Sequence, residues 1–410
     1  MEKVILKKSA WLYGGQVFAK VTSFLYTLFL ARSLGVGDFG LYVAALSYFS
    51  LVSSLADFGI TRFITREVSL GRERVGKLLS AAIVLRLIIL LVFVFAFLGG
   101  IYFLDPDLTR RNLFLLAVLV ALPQSISLTL DAAFIASLKT KYSALGIASL
   151  SIFTVLIGII LVTLGFGPQG AVLGLLAGQA LYVLSLIVLA FKERLNWLEA
   201  FDFQLIKRML AGSLPYGFLG ILGLIYFKVD TLFLSYLRGN FETGIYGVAY
   251  RFLEAIVFIP TTLAVTLFPI LAKLQEIDKA QIKKIYYKSI KVMAVFGVIV
   301  AVGYVFILPL IISLFLPQYL KAVVVVQILA LSIPFMFVHV PVSQILLSSE
   351  KFLRQVIFIS FVPLIFNITA NLIFIPQYGF MAAAWITVIS DVISLSVLIF
   401  YIQKYYFGHD

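Results

Sequence analysis

Residues 228–269 read KVDTLFLSYLRGNFETGIYGVAYRFLEAIVFIPTTLAVTLFP. Two apolar stretches, each long enough to cross a bilayer, flank a short polar hairpin, and yet Lys228, Asp230, Arg251 and Glu254 lie at depths where lipid tolerates no free charge. Ionisable groups on spanning helices face a wet interior, pair with one another or bind something. Four of them in two spans point to a polar cavity.

The stretch also repeats an earlier one. Gly40-Leu41-Tyr42-Val43-Ala44-Ala45 opens one apolar span and Gly244-Ile245-Tyr246-Gly247-Val248-Ala249 opens another, 204 residues later. Each follows a turn that contains an acid and a glycine. A second pair, Gly167-Pro168-Gln169-Gly170-Ala171 and Gly379-Phe380-Met381-Ala382-Ala383, recurs at an offset of 212. The chain therefore reads as two halves.

Composition sets the class. Of 410 residues 62% are hydrophobic and 12% charged, and the mean hydropathy of +1.10 belongs to a polytopic membrane protein, since soluble domains are roughly a quarter charged. The net charge of +13 is not a nucleic-acid signal, because the basic residues sit between apolar spans, where they set topology. The chain has no cysteine, and its two histidines, His339 and His409, make a zinc site improbable; no metal centre is expected. The basic start, with Lys3, Lys7 and Lys8, precedes an apolar run of span length without a small-residue cleavage site, so it reads as a retained first helix.

At about 20 apolar residues per crossing, the sequence gives twelve spans, at 11–31, 40–59, 79–103, 113–138, 144–164, 170–191, 214–236, 245–270, 289–315, 322–347, 355–375 and 379–402. Pro123, Pro260, Pro309, Pro334, Pro341 and Pro363 fall inside spans as candidate bend points. Alternate connections carry 23 basic residues on the side of the N-terminus and five on the other, which places both termini in the cytoplasm. Six spans per half is an even number, so the halves share one orientation. The expectation is an all-α integral membrane protein of two parallel-repeat six-helix lobes around a central cavity: an N-terminal lobe at 1–191, a cytoplasmic linker at 192–213 and a C-terminal lobe at 214–410. Residues 196–214 alternate apolar and polar in helical fashion and could lie among lipid headgroups.

Four basic residues remain within spans: Lys20, Arg86, Lys228 and Arg251. Polar partners at similar depth are Gln124 and Asp131, Asp230, Glu254, Asn367 and Asn371, and Asp391. Asn367 and Asn371 are four apart and share a helix face, as do Gln124 and Asp131 seven apart. Arg251 and Glu254 either neutralise each other or contact a substrate directly; both readings stand. Lys228 and Asp230 point to different faces and must find separate partners. Arg86 lies about two turns from the cytoplasmic end and can snorkel to the interface, while Asp57 reads as an interfacial cap. Gly14-Gly15 and Gly99-Gly100 read as sites of close helix packing. The substrate-binding candidates are Lys20, Lys228, Arg251, Arg86, Asn367 and Asn371, and the ion-coupling candidates are Asp230, Glu254 and Asp131. An excess of positive charge favours an anionic cargo, and short outward loops leave no room for a catalytic domain, so translocation is expected and not an enzyme activity.

The segment Ala31-Arg32-Ser33-Leu34-Gly35-Val36-Gly37-Asp38-Phe39-Gly40-Leu41-Tyr42 resembles the opening signature of the polysaccharide transport family, the Wzx-type flippases of lipid-linked oligosaccharides. So do Ser54-Leu55-Ala56-Asp57-Phe58-Gly59, the Leu267-Phe268-Pro269 end of the eighth span and Ile375-Pro376-Gln377-Tyr378-Gly379. The resemblance implies the fold of the multidrug/oligosaccharidyl-lipid/polysaccharide exporter superfamily. It also implies a polyprenyl-diphosphate oligosaccharide moved to the outer leaflet of the inner membrane by alternating access. The family's basic residue of the first span would be Lys20, its acid of the seventh Asp230 and its basic residue of the eighth Arg251. Implied partners are the lipid-linked substrate, membrane lipids and glycan-assembly enzymes, with no cofactor beyond a coupling H+ or Na+. Peptidoglycan-precursor flippases of the superfamily usually have fourteen spans, and this chain has room for twelve. The main alternative is a cation-coupled exporter of the related multidrug branch. A carrier of the major facilitator type lacks its signature in 61–78, and a membrane glycosyltransferase lacks its outward catalytic loop.

Overall fold

The computed structural model describes residues 2–70, 73–104, 107–137, 139–193, 199–201, 203–275 and 277–408, and among them there is helix and no strand. The chain divides into two compact units, 1–224 and 225–410. The division falls inside a helix, past the end of the expected linker at 213.

Unit 1 begins with α1 (Glu2–Asp57), followed by α2 (Ile60–Leu70), α3 (Val75–Leu104), α4 (Leu108–Leu119), α5 (Ala121–Ala136), α6 (Thr140–Leu161), a π turn at Val162–Phe166 and α7 (Gly167–Lys192). α1 packs on α3, α4 and α6, and α6 lies against α7. α4 starts where the Asp107 carboxylate accepts from the amides of Thr109 and Arg110, which satisfies donors a first turn leaves open. α8 (Phe203–Leu237) carries the chain from unit 1 into unit 2, which continues with α9 (Asn240–Leu274), α10 (Lys279–Phe315), α11 (Ala322–Ala330), α12 (Ile333–Leu347) and α13 (Leu353–Tyr401). α12 packs on α9, α10 and α13.

Among the described residues eight helical runs are long and apolar enough to cross a membrane, and nine if α11 and α12, bent by 46°, make one crossing. Three of them, Tyr13–Asp57, Thr140–Lys192 and Arg354–Tyr406, have 45, 53 and 53 residues. At 1.5 Å per residue these span about 68 to 80 Å, far more than a bilayer core of about 30 Å. Each is broken at a glycine, in backbone conformations that side chains avoid.

Those glycines carry the internal repeat into the backbone. Gly35 has φ 77 and ψ 173, and Gly239, 204 residues on, has φ 84 and ψ −178. Gly167 has φ 54 and ψ −142, and Gly379, 212 residues on, has φ 56 and ψ −137. Both units also break one crossing, unit 1 at Val120 between α4 and α5 and unit 2 at Leu331–Ser332 before Pro334, which sits in the first turn of α12.

Three expectations change. Residues 196–198 and Asp202 of the amphipathic linker lie outside the described residues, but from Phe203 the chain is already α8 and runs unbroken to Leu237. Leu205 and Met209 are buried in the core of unit 1 with Ile60, Phe63 and Ile64, and a Cβ on Gly212 would meet the Phe63 ring at 2.5 Å. Part of the apolar stripe therefore covers protein, where α2 presents a matching stripe at i, i+3, i+4 spacing, while Phe203, Leu210 and Leu214 stay exposed. The connection at 61–78, between the second and third expected spans, is largely that helix. Of the glycine pairs, only Gly15 approaches another helix, its Cβ position 3.0 Å from Ala144, whereas Gly14, Gly99 and Gly100 face open space.

Candidate functional site

The spanning part of unit 2 holds two polar clusters side by side in sequence. Lys228 and Asp230 are two residues apart on α8, so a helix turns them about 200° from each other, and each has its own partners. Lys228 Nζ donates to Glu254 Oε1 at 2.6 Å, and Arg251 Nη1 donates to Glu254 Oε2 at 2.9 Å. Lys228 and Arg251 thus end on one carboxylate, one per oxygen, and the three side chains keep 18 to 29% of their surface exposed. The cluster has one net positive charge.

Asp230 faces the other way and is buried. Oδ2 accepts from the Tyr246 hydroxyl and from Thr387 Oγ1, both at 2.9 Å, and Oδ1 accepts from Asn371 Nδ2 at 2.6 Å. Asn371 also donates to Asn367 Oδ1 at 3.0 Å, and Asn367 donates to Ser390 at 3.1 Å. Asn367 and Asn371, sought among substrate ligands, are 1% and 0% exposed and serve the acid. No basic side chain is hydrogen-bonded to Asp230 among the described residues; its contacts are two hydroxyls and an amide N–H, neutral donors that supply no counter-charge. Nearby, the Tyr226 hydroxyl donates to Asp391 Oδ1 at 2.7 Å, and Asp391 Oδ2 has no hydrogen-bond partner among the described residues.

In unit 1, Arg86 on α3 is 0% exposed and does not snorkel. Its guanidinium donates to Asp57, to Thr61 Oγ1 at 2.6 Å, to Thr129 and to the Ser125 carbonyl at 3.1 Å. A buried guanidinium needs a counter-charge, and Asp57 supplies it. Asp57 is thus an ion-pair partner as well as the cap of α2, where the Thr61 amide donates to it at 3.2 Å. Lys20 lies on an exposed face of α1. Asp131 sits beside Ser143 and Tyr182 inside unit 1, and its Oδ1 has no hydrogen-bond partner among the described residues. Among the described residues no three His, Cys, Asp or Glu side chains gather to hold a metal, and His409 lies outside them.

The model of the polysaccharide biosynthesis protein family matches residues 5–275. The chain belongs to this family. A model of the MatE family matches residues 215–373. Among curated proteins, the probable flippase AglR of Haloferax volcanii is 26% identical over 402 residues, covering 94% of this chain and 81% of AglR. Among solved structures, the lipid II flippase MurJ in an inward closed conformation superposes with a TM-score of 0.73 at 18% identity, over 96% of this chain and 87% of that one. An outward-facing multidrug resistance MATE transporter of the MOP superfamily superposes with a TM-score of 0.69 at 15% identity, over 98% of this chain and 95% of that one. This family member therefore has the fold of the multidrug/oligosaccharidyl-lipid/polysaccharide superfamily, and its named relatives are flippases and transporters, not enzymes.

Sequence reasoning missed Tyr246 and Thr387 as partners of Asp230. Tyr246 carried a usable signal, since it is the tyrosine of the repeat that pairs Gly40-Leu41-Tyr42 with Gly244-Ile245-Tyr246. Thr387 carried none, because its pairing is set by how α13 packs.

Proposed function

We propose that the chain is a flippase that moves a polyprenyl-diphosphate-linked oligosaccharide from the cytoplasmic to the outer leaflet by alternating access. The observation that supports this most is the convergence of Lys228 and Arg251 on Glu254. A diphosphate offers cations the same paired oxygens that Glu254 offers, with more charge, and charge-assisted bonds of this kind are the strong ones. Lys20, on α1 of unit 1, is a further cation of the spans, and the relationship to a probable flippase points the same way. Asp230, in its shell of hydroxyls and amide, is the group we assign to a coupling H+ or Na+, with Glu254 and Asp131 as the other carboxylates of the spans.

In this reading the three long runs each cross twice, which gives twelve crossings with both termini in the cytoplasm of a plasma membrane. Glycan-assembly enzymes are the partners that would supply and consume the cargo. Binding of a short-chain polyprenyl-diphosphate oligosaccharide to reconstituted protein tests the reading. Saturable binding that weakens in Lys228→Ala is expected, and binding of a lipophilic cation alone, indifferent to Lys228, would sink it. That second outcome belongs to a cation-coupled multidrug exporter, the reading favoured by the MatE match over 215–373.

A further inference from the structure

A polar cavity of about 440 Å3 lies wholly within unit 1, lined by Phe49, Ser53, Asp57, Thr61, Arg62 and Gln124 among others. Its volume falls in the roughly 300 to 1,000 Å3 range of small-molecule sites. Three features of its wall, and a fourth in the backbone beside it, point to a ligand.

The first is the state of Asp57. The bonds that reach it from Arg86, the Thr61 amide and Thr61 Oγ1 all end on Oδ1. Oδ2 is left to the cavity, and the side chain is 25% exposed. Arg86, fully buried behind, cancels the negative charge and fixes the carboxylate in place, so Asp57 offers a strong acceptor without a net charge of its own.

The second is the facing wall. Ser53 on α1 donates to Gln124 Oε1 on α5. That bond uses the amide oxygen and leaves the two amide protons of Gln124 as donors. A fixed acceptor opposite a fixed donor is what a pair of neighbouring hydroxyls requires. The third is Arg62, exposed at the rim and 5.8 Å from the Tyr216 ring, which gives the cavity its positive charge.

The fourth is backbone strain. Phe58, next to Asp57, has φ 40, and it is the one non-glycine residue with positive φ among the described residues. Gly59 follows with φ 78 and has Gly217 N at 2.6 Å from where a Cβ would be. Such conformations persist where packing over-determines them, and they cluster at ligand sites.

We propose that this cavity is a sugar subsite, which takes one or two polyhydroxylated rings, neutral or acidic. Asp57 Oδ2 accepts from one hydroxyl, the Gln124 amide donates to its neighbour, and the Phe49 ring covers the apolar face of the sugar. Arg62 favours a ring that bears a carboxylate. The inference rests on the flippase reading only for the sugar's origin, the head group of a lipid-linked glycan.

The test is saturation-transfer NMR on the full chain in lipid nanodiscs, with glucose, N-acetylglucosamine, glucuronic acid and their disaccharides as probes. Wild type is expected to bind at least one of them, and Ser53→Val with Gln124→Leu, which changes no charge, is expected to weaken binding tenfold or more. Arg62→Gln is expected to weaken glucuronic acid more than glucose. Gln124→Ala, which removes the amide donor and enlarges the cavity, serves if the double variant does not fold, and it is expected to lose binding as well. Sugar binding absent from wild type, or unchanged in the Gln124 variants, would overturn the subsite. Flipping of a lipid-linked oligosaccharide, measured in the same preparation, separates the two ideas. Sugar binding without flipping refutes the flippase reading alone, and flipping without sugar binding refutes the subsite alone.

Discussion

Lys228 Nζ stands 2.6 Å from Glu254 Oε1, across from α8 to α9, while Arg251 holds the other oxygen of the same carboxylate. In the proposed function the resident acid occupies the position an anionic cargo would take. Replacing Glu254 with Gln removes the charge and keeps the shape. The variant should lose stability by roughly 1 to 3 kcal/mol, because two half-buried cations lose their counter-charge, and should bind a diphosphate lipid more tightly than wild type. Thermal unfolding and lipid titration on the same sample check both, and a stable variant with weaker binding would contradict the competition.

Asp230 predicts a separation of coupling from binding. Asp230→Asn keeps the size and the hydrogen bonds to Tyr246 and Thr387 within reach, but removes the only charge of its cluster. Transport by this variant should become indifferent to an imposed proton or sodium gradient, with binding of the anionic cargo within about twofold of wild type. Initial rates in vesicles with and without each gradient decide this. A gradient response as large as in wild type would remove Asp230 from the coupling role.

Arg86 predicts a structural phenotype. Its guanidinium is fully buried and paired with Asp57, and losing one member of such a pair leaves an uncompensated charge. Arg86→Met should cost about 2 to 4 kcal/mol on this ground, tempered by the part-exposure of Asp57. Restoring neutrality with Asp57→Asn in the same chain should recover part of that loss. Unfolding temperatures of the single and double variants in detergent provide the cycle.

The turn glycines predict a contrast. Gly35, at φ 77, has no atom near its Cβ position, so Gly35→Ala is opposed only by backbone strain, roughly 1 to 3 kcal/mol. Gly14 is equally open but helical, so Gly14→Ala should be neutral or stabilising by up to about 1 kcal/mol. Equal effects of the two substitutions on unfolding temperature would refute the assignment of Gly35 as the break between spans.

Much of this architecture was legible in the sequence because its determinants are local. A run of apolar residues of fixed length, a glycine that alone tolerates φ near +80°, and a motif repeated 204 residues later need no knowledge of packing. Partner choice is different. Arg86 and Asp57 are 29 residues apart, on α3 and at the end of α1, and nothing in either segment marks the other as its counter-ion. Asn367 and Asn371 were placed on one face from their spacing, but whether that face met cargo or Asp230 depended on the packing of α13 against α8. The stripe at 203–214 was read as amphipathic, yet periodicity cannot tell a lipid surface from the side of α2.

The most direct test of the central claim is transbilayer movement of a fluorescent polyprenyl-diphosphate oligosaccharide in vesicles, for wild type and for Lys228→Ala with Arg251→Ala. Wild type should move the lipid-linked glycan, and the double variant, which leaves Glu254 without either cation, should lose at least tenfold in rate while remaining folded. Movement that continues unchanged without both cations, or a wild type that moves only lipophilic cations, would contradict the account.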